Sequence, residues 1–530
     1  MNGLAGTGTL LRLALRRDRI MLPAWVYAIT AMTISTGYSF GTLYGTASAR
    51  EQFARGMNTN GSLRALYGTV YDAGVGGLTA WRMGAFGAAL AGLMSILLVV
   101  RHTRADEEDG RLELVGAGAV GRRAPLTAAL LTVLLADLLL AALVAAGLAA
   151  LGQPAGGALA FGSALAVTGL VFAALAGVAA QAVETGRAAS GTASAALGLG
   201  FVLRAAGDSD SRTHWLSWLS PLGWSEQVRP FADNRWWAVA LGLLAACALA
   251  ASAYVLVGRR DLGAGLLPRR PGPASAAPAL RSQLALARRL QSATLYGWCA
   301  GFAVAGAVFG SVAKGAATLV GDNQQVGDIL HRIGGQGSFA DAYLATILGL
   351  FGMVAAVYAV QCVQRLRGEE TAGRAEPVLA SAVSRSAWAG GHLLFALLGS
   401  AVLLATGGLA AGLTAGATLG DLPRRLGALV GGALVQLPAV WLTAAAVLAV
   451  FGLRPRWTSA GWGMPAAFLV IGWLGPVLRL GRPILDLSPF THLPHLPGGT
   501  VSARPLLWLT AVAAGLAAAG LAGLNRRDLG

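Results

Sequence analysis

Long apolar runs alternate with short polar segments along the whole chain. Stretches such as Leu126 to Leu151 and Ala238 to Val257 are almost free of charge. About 20 residues of helix cross a bilayer, so each run is long enough to span. The pattern predicts twelve spans, near 20–43, 80–100, 125–151, 158–183, 190–207, 236–257, 292–314, 340–362, 387–415, 426–452, 460–478 and 505–524. The windows at 190–207 and 460–478 are the weakest of these. The expected fold class is an all-α polytopic membrane protein.

The polar segments set orientation and boundaries. An even number of spans puts both termini on one side. With the termini inside, the inner segments hold 25 of the 40 basic residues, and the other 15 are spread over longer outer loops. Excess Lys and Arg mark the cytoplasmic side, which predicts a multi-pass protein of the cytoplasmic (inner) membrane with both termini in the cytoplasm. The stretch from Leu10 to Arg19 is basic and amphipathic. It is either an interfacial helix resting on membrane lipid or a plain positive anchor. No cleavable signal peptide is visible. Residues 258–291 include Arg269-Arg-Pro-Gly-Pro and have no spanning capacity, so they read as a cytoplasmic linker between a first half, 1–257, and a second half, 292–530.

Composition agrees. The chain has 530 residues, 55% hydrophobic and 12% charged, against about 25% charged in a soluble protein. The formal charge of +16 does not indicate nucleic acid, because the basic residues lie between spans and not on one soluble face. Lys314 is the only lysine, a skew expected of a GC-rich genome. Cys247, Cys299 and Cys362 lie in or beside apolar runs with no metal-like spacing, so neither a disulfide framework nor a zinc site is indicated.

The halves repeat. Arg104-Ala-Asp-Glu-Glu-Asp-Gly-Arg-Leu-Glu113 follows the second predicted span, and Arg367-Gly-Glu-Glu-Thr-Ala-Gly-Arg-Ala-Glu376 follows the eighth. They align without gaps at an offset of 263, and the match continues to Arg122 and Arg385. Leu219-Ser-Pro-Leu is echoed at Leu487-Ser-Pro-Phe, and Arg259-Arg-Asp-Leu-Gly263 at Arg526-Arg-Asp-Leu-Gly530, at offsets of 268 and 267. Three echoes at nearly constant spacing imply duplication of a six-span unit. Six is even, so the expectation is a parallel repeat about an axis along the membrane normal.

The charged segment is the strongest chemical signal. A solvated loop obeying the positive-inside rule accounts for its arginines. It does not account for Glu107, Glu113, Glu370 and Glu376, or for the repetition. A charged rim presented to a soluble partner accounts for both. The residues expected to carry such coupling are Arg104, Glu107, Gly110, Arg111 and Glu113, with Arg367, Glu370, Gly373, Arg374 and Glu376 in the second half.

On these residues the chain resembles a known family. The pattern E-x-x-G-R-x-E, followed by V-x-R, is similar to the coupling-helix segment of ABC-2-type exporter permeases. Leu219-Ser-Pro-Leu-Gly-Trp and Leu487-Ser-Pro-Phe-Thr-His look like the extracellular segment before the last span of each half in that family. The whole chain looks like the actinobacterial tetronasin-resistance-type permeases, exporters of polyketide antibiotics. The resemblance implies a type V-like ABC exporter fold and docking of the charged segments on two copies of an ABC ATPase subunit. The second half departs at Thr371-Ala372, where the first has Glu108-Asp109, and at Pro377 for Leu114. This puts equal coupling of the two halves in question.

The chain has no G-x-x-x-x-G-K-[ST] phosphate loop. It is therefore expected to bind no cofactor and to be no enzyme itself. ATP and Mg would belong to the partner ATPase. Asp137 is the only carboxylate deep in a predicted span, where a charge is costly. It is either a contact for a cationic substrate or a proton, or a protonated or paired packing residue. Gln181 and Gln436 either line the same path or hydrogen-bond between helices. In the outer loops Asp208, Asp210, His214, Glu226, Asp486, His492 and His495 match no metal motif, and Trp215, Trp218, Trp224, Trp236 and Trp237 suit an interfacial aromatic belt.

Three function classes compete. The first is the permease of an ATP-driven exporter of hydrophobic or amphipathic small molecules, with substrate held between the halves. The second is a proton-coupled secondary multidrug transporter, which usually needs several ionisable residues within its spans. The third, a membrane-embedded enzyme, lacks a recognisable arrangement of acids.

Overall fold

The computed structural model describes residues 3–59, 61–116, 118, 120–261, 263–267, 274–277, 280–320, 339–474 and 481–528. The side chain of Lys314, the Pro-rich stretch 268–273 and the end of the 460–478 window fall outside them. Among the described residues every regular element is helical. Hydrocarbon offers no partner for a free backbone N–H, and a helix satisfies its own.

The chain divides into two units, Met1–Gly272 and Pro273–Gly530. In the first, the long helices are α1 (Thr7–Arg17), α2 (Met21–Leu43), α3 (Val75–Val100), α4 (Ala124–Ala150), α5 (Ala155–Ala182), α6 (Gly186–Ser209) and α7 (Trp236–Arg259). In the second they are α8 (Gln283–Val320), α9 (Phe339–Thr371), α10 (Arg385–Leu419), α11 (Leu422–Leu434), α12 (Leu437–Leu453) and α13 (Ala503–Arg526).

Nine helices among the described residues are long and apolar enough to cross a membrane, with α11 and α12 counted together. The pair α1 and α2, bent by 65°, makes a tenth. Sequence patterning predicts twelve. The two that differ are the two weakest windows. Helix α6 has the length of a span, but Gly, Ser and Thr dilute it, and Arg204 and Asp208 near its end are buried. The 460–478 window breaks into a 3-10 turn at Pro455–Trp462, a short helix at Gly463–Leu469 and a π turn at Val470–Leu474.

Each unit has its own core. In the first, α3 and α5 bury most of their length against α4, with Ala88, Ala91, Leu140 and Leu165 fully enclosed. In the second, α9 and α12 take that place, around Tyr358, Leu403 and Phe451. Leu135, Leu138 and Leu139 on α4 and Leu398, Val402, Leu409 and Leu413 on α10 are exposed at helical spacing. In a spanning helix such a stripe faces lipid. Exposed Trp215, Trp218, Trp236 and Trp237 cluster between α6 and α7, with Trp218 and Trp237 stacked at 5.7 Å.

Candidate functional site: a charged segment clasped in each unit

In the first unit, α3 does not stop at the end of its apolar run. It continues through a π turn, Arg101–Ala105, into a single helical turn, Asp106–Glu108. Gly110 then reverses the chain at φ +72°, its N–H donating to Glu107 O at 3.0 Å. A side chain there would strain the left-handed backbone. The short helix Arg111–Gly116 follows. The second unit builds the same reversal. Gly373 has φ +67°, and its N–H donates to Glu370 O at 3.0 Å. A helix at Ala375–Leu379 follows.

Glu107 and Glu370 point inward. Glu107 is buried and takes both ends of the Arg260 guanidinium, with two bonds of 2.7 Å. It also accepts from Gly263 N–H at 2.6 Å, and Arg104 stands 2.9 Å away. Arg104 is itself buried and donates to the carbonyls of Val183 and Ala264. In the second unit Arg527 grips Glu370 with bonds of 2.8 and 3.0 Å, and Arg367 lies 3.4 Å from the same carboxylate. Arg122 donates to the carbonyl of Arg260, and Arg385 to that of Arg527. Two of the sequence echoes, far apart along the chain, therefore meet in each unit. Two-pronged Arg–carboxylate pairs carry directional specificity as well as energy.

The clasps differ in detail. Gln181 joins the first. Its carbonyl oxygen accepts from Arg260 Nε at 2.6 Å, while its amide donates back to Gly177 O on α5. A small cavity of about 60 Å³ opens here, lined in part by Glu107, Arg122, Gln181 and Arg260. In the second unit the Arg527 guanidinium instead lies 4.7 Å from the Phe451 ring centre. Glu108 accepts from Gly186 N–H, fastening the segment to the start of α6. Thr371 stands in its place in the second unit and bonds back to Arg367 O within its own helix.

The other coupling candidates are on the surface. Arg111 is exposed and pairs with Asp106 and Asp109. Glu113 is exposed, and Leu114 is 81% exposed. In the second unit Arg374 and Glu376 are exposed, Arg374 pairing with Glu369 at 2.9 Å. Sequence reasoning placed all ten residues in one charged rim. The structure separates an inward set around Glu107 and Glu370 from an outward set.

The remaining path candidates, Asp137 and Gln436, are each packed against a glycine of a neighbouring helix. Asp137 on α4 is fully buried and accepts from Ser95 Oγ at 3.2 Å. It packs so tightly on Gly169 of α5 that a Cβ there would lie 2.4 Å from Oδ2. Gln436 sits at the break between α11 and α12, against Gly352 of α9.

Of two further clusters, the first escaped the sequence reading, and the second joins Asp208 and Glu226 of the predicted outer loops to Arg204. Asp18, fully buried between α1 and α2, accepts from His102 Nε2 at 2.5 Å and lies 3.2 Å from Arg101. Burial pushes its carboxyl up, but the His102 hydrogen bond and the charges of His102 and Arg101 outweigh that and hold it below the usual value. Beyond the other end of α3, Glu226 accepts from Thr69 N–H, and Asp208 pairs with Arg204 and Ser217. Burial, reinforced by Asp208, pushes the Glu226 carboxyl up. His492 bonds to Asp486 O. No metal-binding group of three or more His, Cys, Asp or Glu residues occurs among the described residues.

The family model described as "Multidrug efflux system permease Rv1217c, C-terminal domain" matches residues 8–257 and 280–525. The multidrug efflux system permease protein Rv1217c of Mycobacterium tuberculosis is 46% identical over 530 residues, covering 100% of this chain and 96% of its own length.

Proposed function

The chain belongs to the multidrug efflux system permease family, and we propose that it is the membrane subunit of an ATP-driven exporter of the ABC-2 type. The cargo would be hydrophobic or amphipathic small molecules, polyketide antibiotics among them. The observation that carries this reading is the clasp. Each unit ends a long apolar helix in a charged reversal, ties it to the residue just beyond its last helix, and leaves a face of mixed charge free. Such a face suits a soluble partner.

In this mechanism two ATPase subunits hold ATP and magnesium, and one docks on each reversal. The first face is Asp109, Arg111, Glu113 and Leu114, and the second is Arg374 and Glu376. Docking on this side places both termini in the cytoplasm. Glu107 and Glu370 do not touch the ATPase. They transmit its displacement, through Arg260 to the end of α7 and through Arg527 to the end of α13. Gln181 adds α5 on the first side only, and Glu108 adds α6. The two units therefore differ in how many helices follow the motor.

The competing reading, a proton-coupled transporter, needs a chain of ionisable groups through the spans. Asp137 is packed between helices, with Ser95 as its hydrogen-bond partner. Reconstitution in vesicles separates the two. Transport is expected only with the ATPase and ATP. Transport driven by a pH gradient alone overturns the proposal.

A further inference from the structure

A second feature lies beside the first clasp and has no part in it. Helix α1 turns 65° away from α2 and exposes Leu13 and Leu15, with Ile20 exposed in the bend between the two helices. An amphipathic helix bent away from a span in this way lies along the membrane surface. Between α1, the charged reversal and the start of α4 is a pocket of about 420 Å³, within the range of about 300–1,000 Å³ typical of ligand sites. Its floor is apolar, from Leu10, Leu13 and Ala128, and its rim carries Arg16, Arg17 and Arg111 with Asp106.

The charges on that rim do not balance. Asp106 is shared by Arg17 at 2.5 Å and Arg111 at 3.0 Å. Arg16 is exposed and has no carboxylate partner among the described residues. Arg12 and Arg19 add further exposed positive charge on the same stretch. His102 and Asp18 satisfy each other behind the rim. In the second unit the corresponding helix α8 runs unbroken from Gln283.

We propose that this pocket binds an anionic phospholipid, with its phosphate on Arg16 and Arg17 and the start of an acyl chain on the Leu10–Ala128 floor. Guanidinium groups fit phosphate oxygens, and the surface of a membrane concentrates anionic lipid. A soluble acidic peptide would satisfy the arginines but would leave the apolar floor wet. The bound lipid would also touch Asp106, one residue from the Glu107 clasp.

The test uses the full chain in nanodiscs of phosphatidylcholine with a minority of phosphatidylglycerol. Native mass spectrometry counts the lipid retained, and thermal melting confirms that each variant is folded. Phosphatidylglycerol should be retained over phosphatidylcholine by about tenfold, the equivalent of ~1.4 kcal/mol. Arg16→Gln with Arg17→Gln should remove most of that preference, and Arg16→Lys with Arg17→Lys should keep it. Ala128→Phe, which fills the floor, should lower retention with both arginines intact. The proposal falls if the Gln variant or the filled pocket retains phosphatidylglycerol like wild type, or if wild type shows no preference. It falls equally if a soluble acidic peptide displaces the lipid. The readout needs no ATP, so it stands or fails apart from the ATP-driven reading.

Discussion

At the scale of the residue, the decisive contact is Glu107 with Arg260. Removing one partner of a buried pair leaves the other charged and dry, at a cost of about 3–5 kcal/mol. Glu107→Ala should therefore lower stability by that order, read as a fall in melting temperature in detergent. Replacing both with Met should recover only part of the loss, because an apolar pair removes the unpaired Arg260 charge but also takes a partner from Arg104, Gln181 and Gly263 N–H. If the double variant is as unstable as the single one, the carboxylate does more than neutralise Arg260. Gly110→Ala should cost about 1–2 kcal/mol through its left-handed backbone, and Gly373→Ala the same, with no change in neighbouring contacts. The Asp18 carboxyl has a depressed folded pKa, so its contribution is complete above the ordinary value of 3.8 and disappears as pH falls through the folded value. Melting should thus fall steeply below pH 3.8 in wild type and less steeply in Asp18→Asn, as a pH series of melting curves would show. The repeat of both halves of this contact is legible in the sequence, as Glu107 with Glu370 and Arg260 with Arg527. That they touch is not, because 153 residues separate Glu107 from Arg260 and a repeat says what recurs without saying what meets it.

At the scale of the element, close helix contact is bought with glycine. Helix α8 crosses α10 where Gly310 leaves room for the backbone, and a Cβ there would lie 2.5 Å from Ala411 O. Membrane helices associate by packing, with little hydrophobic drive between them. Gly310→Leu should therefore separate α8 from α10 and lower the melting temperature, whereas Gly301→Leu, where nothing lies within 4 Å, should not. Equal effects would mean that the contact at Gly310 is not what holds the pair. The apolar helices were legible because their hydropathy is decided by lipid. Helix α6 was faint because its neighbours, not lipid, decide it. Arg204 is fully buried and donates to the carbonyls of Ala65 and Leu66, a contact no hydropathy window registers.

At the scale of the whole molecule, each unit repeats the same construction with a different grip on its own carboxylate. Charge reversal on the outward face, Asp109→Arg with Glu113→Arg, should cut co-purification with a co-expressed ATPase severalfold and leave the melting temperature unchanged. Glu107→Gln should do the reverse, lowering the melting temperature first. If the outward variant binds the ATPase like wild type, the face is not the docking surface. The inward and outward roles could not be separated from sequence, since both sets are Arg, Glu and Gly in one ten-residue run. Burial alone distinguishes them.

The clasp also sets an order of events during synthesis. Glu107 leaves the ribosome long before its partner, and its carboxylate must wait in water while four more long helices are made. The pair can form only once Arg260 has emerged, and domains generally fold as they are completed. A nascent chain stopped at residue 250 should hold the reversal open to protease. One stopped at residue 320 should protect it, before α9 has been synthesised. The clasp would thus be the first half's own completion signal, read by the chain before the second half exists.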